Sequence, residues 1–143
     1  MKTLLIISTI LASSLSGQLF AQHDHTAATS SSPTSVSRSI IRQQLLNEKG
    51  IDNREVQMLI VDYPPNSSSP AHRHPCPTFG YLLEGELEST FEGKTRVYKK
   101  GDTFYEFSNG LHSSARNTSS TVPAKLLVFF VAEPGKPTSV LEK

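Results

Sequence analysis

Residues 66–112 read NSSSPAHRHPCPTFGYLLEGELESTFEGKTRVYKKGDTFYEFSNGLH, and this stretch decides the fold. Its apolar and aromatic side chains come in short runs that alternate with polar ones and are punctuated by Pro, Gly, Asn and Ser, the pattern of short half-buried β-strands. Strands are predicted over Ala71–His74, Phe79–Leu83, Glu86–Phe91, Arg96–Tyr98 and Thr103–Phe107. Two strands meet at a glycine-bearing turn at Gly85, and Phe91-Glu92-Gly93-Lys94-Thr95 reads as a hairpin. Outward from this stretch the same pattern predicts strands over Ser39–Leu45, Val56–Tyr63, His112–Arg116 and Lys125–Val131. The last is the most apolar run after the amino-terminal segment and reads as a central strand buried on both faces, although seven residues would also fit a buried helix. No long amphipathic helix interrupts the series, so the expected class is all-β, a sandwich or barrel.

The amino terminus follows other rules. Lys2 precedes an apolar run from Leu4 to Ala12, and Leu19-Phe20-Ala21 ends the segment before the polar Gln22. The apolar centre is too short for a membrane span and fits a cleaved secretory signal over residues 1–21, which predicts a periplasmic or extracellular protein and no membrane contact after cleavage. Residues 22–37 are nearly free of large apolar side chains and are expected to form a flexible polar leader, with His23 and His25 as solvated tail residues. Residues 38–143 then form one domain. Hydrophobic residues at 36% and charged residues at 19% argue against a polytopic membrane protein. Fourteen Lys+Arg against thirteen Asp+Glu give a formal charge of +1, without a basic stretch interleaved with aromatics, so nucleic acid is not an expected partner. Cys76 is the single cysteine, which removes any intramolecular disulfide framework. Asn66 and Asn117 each begin a glycosylation sequon, meaningful only in a eukaryotic host.

His72 and His74 stand at i and i+2, where a strand directs both imidazoles to one face, the spacing that lets two rings grip one ion. His112 follows after a further strand and turn. On these residues alone, a metal centre competes with a pair of loop histidines and an ordinary hydrogen-bonded strand histidine.

Both patches together resemble the paired motifs of the cupin superfamily. The first motif runs glycine, five residues, His-x-His, three or four residues, glutamate, six residues, glycine. Asn66 stands at its first glycine, His72 and His74 fit, Thr78 stands at the glutamate and Gly85 is in register. The second runs glycine, five residues, Pro-x-Gly, two residues, His, three residues, Asn. Gly101 and His112 fit, Phe107 and Asn109 replace the proline and glycine, and the asparagine comes one place late as Asn117. The resemblance extends from about Val56 to Val131.

It implies a double-stranded β-helix, the jelly-roll barrel, with one divalent metal ion held by His72, His74 and His112. Iron or manganese are the first candidates, and zinc, nickel or copper are compatible with imidazole ligands. Thr78 in place of the glutamate implies an ion that keeps its full charge, as in the three-histidine sites of cysteine and β-diketone dioxygenases, and a preference for a chelating anion. The competing reading of Thr78 is a decayed site. Glu106 is a candidate fourth ligand or general base, or else an outward carboxylate. Tyr105 is a candidate donor to a bound oxygen, Tyr81 a core residue, Gly80 a source of space, Arg73 a surface residue and Cys76 a buried inert thiol. Bound imidazoles must be neutral, so metal affinity is expected to fall as pH drops through about 6.5.

The function expected is a secreted metal-dependent enzyme, dioxygenase-like or lyase-like, acting on a small oxygenated or anionic molecule, with pairing into a homodimer as the resemblance suggests. The alternatives are a non-catalytic module that captures a metal or small anion, and a metal-free isomerase with Glu106 as base.

Overall fold

A computed structural model describes residues 34–143. The expected signal segment and most of the expected leader lie outside the described residues. Eleven strands follow in order: β1 Ser37–Leu46, β2 Arg54–Tyr63, β3 Ser68–Ser69, β4 His72–Arg73, β5 Thr78–Glu84, β6 Glu86–Phe91, β7 Lys94–Lys99, β8 Thr103–Glu106, β9 Leu111–Arg116, β10 Ala124–Ala132 and β11 Val140–Leu141. Five of them form one antiparallel sheet in the order β1-β2-β10-β5-β8, and five form a second in the order β11-β4-β9-β6-β7, with β3 paired to β9. The all-β jelly roll expected from the sequence is therefore the fold observed.

Alternation builds the core. Along β10, Ala124, Leu126, Val128, Phe130 and Ala132 point inward and are buried, whereas Lys125, Leu127, Phe129 and Val131 are only half-buried. The strand is central, as expected, but its second face is partly open rather than buried. Leu59, Val61 and Tyr63 of β2, Leu82 of β5, Leu87 of β6 and Ala115 of β9 complete the interior. Apolar contact between the two inner faces drives the packing.

The same alternation corrects two expectations on β5. Thr78, Gly80 and Leu82 face inward, so Tyr81 faces outward at 43% exposure and is not a core residue. Gly80 does not leave space. It pairs with Phe104 across β8, and a Cβ at this glycine would stand 2.1 Å from the Phe104 ring, so the aromatic ring occupies the volume the glycine vacates.

Four turns carry the motif glycine positions, and all four take positive φ: Asn66 at 60°, Gly85 at 72°, Gly101 at 96° and Asn109 at 65°. Asparagine is the side-chain-bearing residue that tolerates this region most readily, which explains how it substitutes for glycine at two of them. Asn117 is 2% exposed, and its Nδ2 donates to the carbonyls of Tyr63, Pro64 and Val122. That buried amide ties three segments together and is closed to glycosylation in the folded state.

Candidate metal centre

β4 and β9 are antiparallel neighbours in which His72 pairs directly with His112, so the two imidazoles stand on the same face with centroids 4.8 Å apart. His74 joins them just beyond β4, where its carbonyl accepts the Asn109 N–H at 2.6 Å and so couples the two motif turns. One ligating atom from each of His72, His74 and His112 lies within 4.8 Å of the others, and all three residues are buried.

Hydrogen bonds fix which nitrogens face one another. His72 Nδ1 lies 2.7 Å from the Pro70 carbonyl and His74 Nδ1 lies 2.6 Å from the Thr138 carbonyl. A carbonyl only accepts, so both Nδ1 atoms carry the proton and both Nε2 atoms present lone pairs when the rings are neutral. Burial keeps them neutral: it lowers His72 below its ordinary value and His74 to about 4. Two lone pairs nevertheless face each other across 3.2 Å. Without a cation between them this contact is repulsive. The arrangement, with each ring's far N–H donated to a backbone carbonyl, is the one that metal-ligating imidazoles adopt.

His112 Nε2 is 2.8 Å from Ser89 Oγ, and its Nδ1 is buried without a hydrogen-bond partner. Glu106 stands beside it, with Oε1 3.3 Å from His112 Nδ1 and Oε2 3.7 Å from His74 Nε2. These distances do not make ion pairs, because burial lowers His112 to about 3 and the ring is uncharged near neutrality. Glu106 is 3% exposed, its Oε2 also lacks a partner, and burial pushes its carboxyl up to about 7. A buried carboxylate without a cation costs several kcal/mol, and a cation at the histidine cluster would relieve it together with the facing lone pairs. The three imidazoles, with the Glu106 carboxylate beside two of them, fit a divalent transition metal.

Glu106 therefore faces inward, as one of its expected roles required. Tyr105 does not: it is the next residue on β8, faces outward at 55% exposure and packs against Phe79, with ring centroids 5.1 Å apart. A strand's period of two admits only one of these neighbours to the cavity, so the catalytic expectation for Tyr105 is withdrawn. Thr78 is 1% exposed and donates to the Cys76 carbonyl at 3.1 Å. Its cross-strand partner is Glu106, which brings to the cavity a carboxylate that the motif's glutamate position lacks. Cys76 is buried, its thiol pushed up to about 11 by burial, and it does not line the histidine cavity. Arg73 faces away and joins Glu142 at 2.7 Å while donating to the Asn109 carbonyl at 2.7 Å.

The histidines and Glu106 open into a cavity of about 70 Å³, walled by Leu59, Val61, Leu126, Val128 and Phe130. Tyr63, whose hydroxyl lies 2.8 Å from Ser69 Oγ, and Arg38 also line it. Neither was singled out from the sequence. Tyr63 read as one aromatic in an apolar run and Arg38 stood just before the first predicted strand, and only strand register reveals their direction.

The family model described as Cupin domain matches residues 59–130. A cupin-domain-containing oxidoreductase of Neurospora crassa, srdB, is 35% identical over 69 residues, which cover 48% of this chain and 34% of that protein. Among solved structures, the DMSP lyase DddQ from Ruegeria pomeroyi is 26% identical with a TM-score of 0.53, covering 60% of this chain and 42% of that one. An oxalate oxidase is 25% identical with a TM-score of 0.58, covering 78% of this chain and 57% of that one. The chain thus spans about a third of the Neurospora protein and about half of these two enzymes. The jelly roll, the paired motifs and the match across both of them lead to one statement: this chain belongs to the cupin family.

Proposed function

We propose that this protein is a secreted metal-dependent cupin enzyme, dioxygenase-like or lyase-like, that acts on a small oxygenated, anionic molecule. The observation that carries the reading is the pair of proton-free Nε2 atoms of His72 and His74 at 3.2 Å, beside the unpartnered His112 Nδ1 and Glu106 Oε2. His72, His74 and His112 hold one divalent ion, iron or manganese first among the candidates, and Glu106 supplies the anionic member of the donor set. The bound ion would act as a Lewis acid toward an oxygen of the substrate. The chain's own part is to keep three imidazoles neutral and oriented and to exclude water with an apolar wall. The cavity sets the substrate's size: about 70 Å³ admits a molecule of a few heavy atoms, far below the 300–1,000 Å³ of ordinary drug-sized sites. The oxidoreductase and lyase names of the similar proteins support an enzyme over a passive module. Export through residues 1–21 and a homodimer belong to the same proposal. The exposed Phe79, Tyr81 and Tyr105 on the outer face of the five-stranded sheet offer a second copy an apolar surface.

Metal analysis of protein purified from its native compartment tests the reading. About one divalent ion per chain is expected in the wild type, with a strong loss in His72→Ala, His74→Ala and His112→Ala. Equal metal content in all four proteins would overturn the site.

A further inference from the structure

The cavity has a second charged pole. Arg38 on β1 pairs with Val61 on β2, upstream of the β-bulge that shifts register between Ile40 and Arg42. Cross-strand partners share a face, so Arg38 points to the side on which Val61 is buried against the cavity. Its guanidinium is near enough for its charge to bear on Tyr63, His72 and His74. Among the described residues Arg38 forms no ion pair, whereas Arg73 and Arg116 each hold a glutamate. The cavity lining contains no other Lys or Arg. The apolar side chains Val61, Leu126 and Val128 line the same cavity as Arg38 and the histidines, as does the Thr138 and Ser139 segment.

We propose that Arg38 is a specificity-determining residue that binds the carboxylate of a short substrate whose other end offers an oxygen to the metal. This rests on the metal reading above and names the substrate class for that site. A planar guanidinium matches a carboxylate through paired N–H donors. Charge points the same way: a divalent ion, one carboxylate from Glu106 and the Arg38 cation leave the occupied site with net positive charge that an anionic ligand partly offsets. The apolar wall accommodates the few methylenes between the two ends.

The test uses the full mature chain loaded with Mn(II), probed by calorimetry with 3-hydroxypropionate and with 1,3-propanediol, which keeps the hydroxyl and length but lacks the carboxylate. Wild type binds the hydroxy acid about tenfold or more tightly than the diol. Arg38→Gln loses most of that preference with Mn(II) affinity undiminished, and Arg38→Lys retains part of it. Arg42→Gln, four residues along β1 beyond the bulge and paired with Met58 on the outer face, removes the same net charge and leaves the preference intact. Wild type that takes up no Mn(II) would overturn the metal reading and this one with it. Mn(II) uptake with equal hydroxy-acid preference in wild type and Arg38→Gln, or an equal loss in Arg38→Gln and Arg42→Gln, would overturn the role of Arg38 alone.

Discussion

Thr78 on β5 and Glu106 on β8 are direct cross-strand partners, both almost wholly withdrawn from solvent at 1% and 3% exposure. Thr78 stands where the cupin motif has its glutamate, and the nearest same-face position on the adjoining strand is a glutamate. A carboxylate missing from one strand is thus present on its neighbour, pointing into the same cavity.

Without metal, Glu106 should govern stability on the alkaline side. Its folded value of about 7 lies above the ordinary 4.5, so the folded chain holds a proton that the unfolded chain has released between those values. The stabilising contribution is complete below 4.5 and is lost as pH rises through 7, a loss of roughly 3 kcal/mol. Glu106→Gln removes this dependence. Denaturant unfolding of the metal-free protein at pH 5.5 and pH 8 checks it: wild type should weaken relative to the variant at the higher pH, and parallel behaviour would refute the assignment.

The histidines act with opposite sign. His74 and His112 are depressed to about 4 and about 3, so their contribution is complete above 6.5 and disappears as pH falls through those folded values. Loss of metal through protonation of free imidazoles should therefore come near pH 4 rather than at 6.5. Between pH 7 and pH 5 the competing proton is the one on Glu106. Metal affinity of wild type should fall about tenfold per pH unit in that window, while Glu106→Gln binds more weakly and stays flat. Competitive chelator titrations across the window would show it. A flat wild-type curve would remove Glu106 from the donor set.

What the sequence made legible was whatever depends on local alternation. Glu86–Phe91 was delimited to the residue, and β2, β5, β9 and β10 were placed within one or two residues, because period-two patterns and turn residues are written locally. The histidine triangle was legible because His72 and His74 share a face by spacing, and the motif supplied His112. Strands β3 and β11 were not, since two-residue elements exist only through their partners β9 and β4. Nor was the phase of β8, which decides between Tyr105 and Glu106. The pairing of Thr78 with Glu106 and the aim of Arg38 depend on register between distant segments, which no local pattern encodes.

Asn117 should matter to the scaffold without touching the metal. Asn117→Ala removes the side-chain donor to the buried Tyr63 carbonyl and to the Val122 carbonyl, while the Pro64 carbonyl keeps the Ser67 N–H and hydroxyl, at a cost of about 1–3 kcal/mol. Thermal unfolding with metal bound should reveal the drop, while metal stoichiometry of the folded fraction stays at the wild-type value. A change in stability below about 0.5 kcal/mol would mean the amide's bonds are dispensable.

The transposed carboxylate makes a sharper prediction, because the two positions should be interchangeable. Thr78→Glu alone places a second carboxylate directly opposite Glu106 in a buried site, where like charges oppose joint ionisation. Its gain in metal affinity should be small. Glu106→Gln alone should weaken metal binding by about a hundredfold, the consequence of removing the anionic donor while keeping shape. The double variant Thr78→Glu with Glu106→Gln returns a single carboxylate to the motif position and should recover affinity to within about tenfold of wild type. The lost Thr78 hydrogen bond to the Cys76 carbonyl costs only about 1 kcal/mol of stability. The signature is therefore strong non-additivity: a substitution nearly silent in wild type rescues the Glu106→Gln background. If instead the site is a three-histidine centre indifferent to Glu106, Glu106→Gln retains affinity and Thr78→Glu tightens binding equally in both backgrounds. Mn(II) titrations of the four proteins separate the outcomes through binding alone, without knowledge of the substrate.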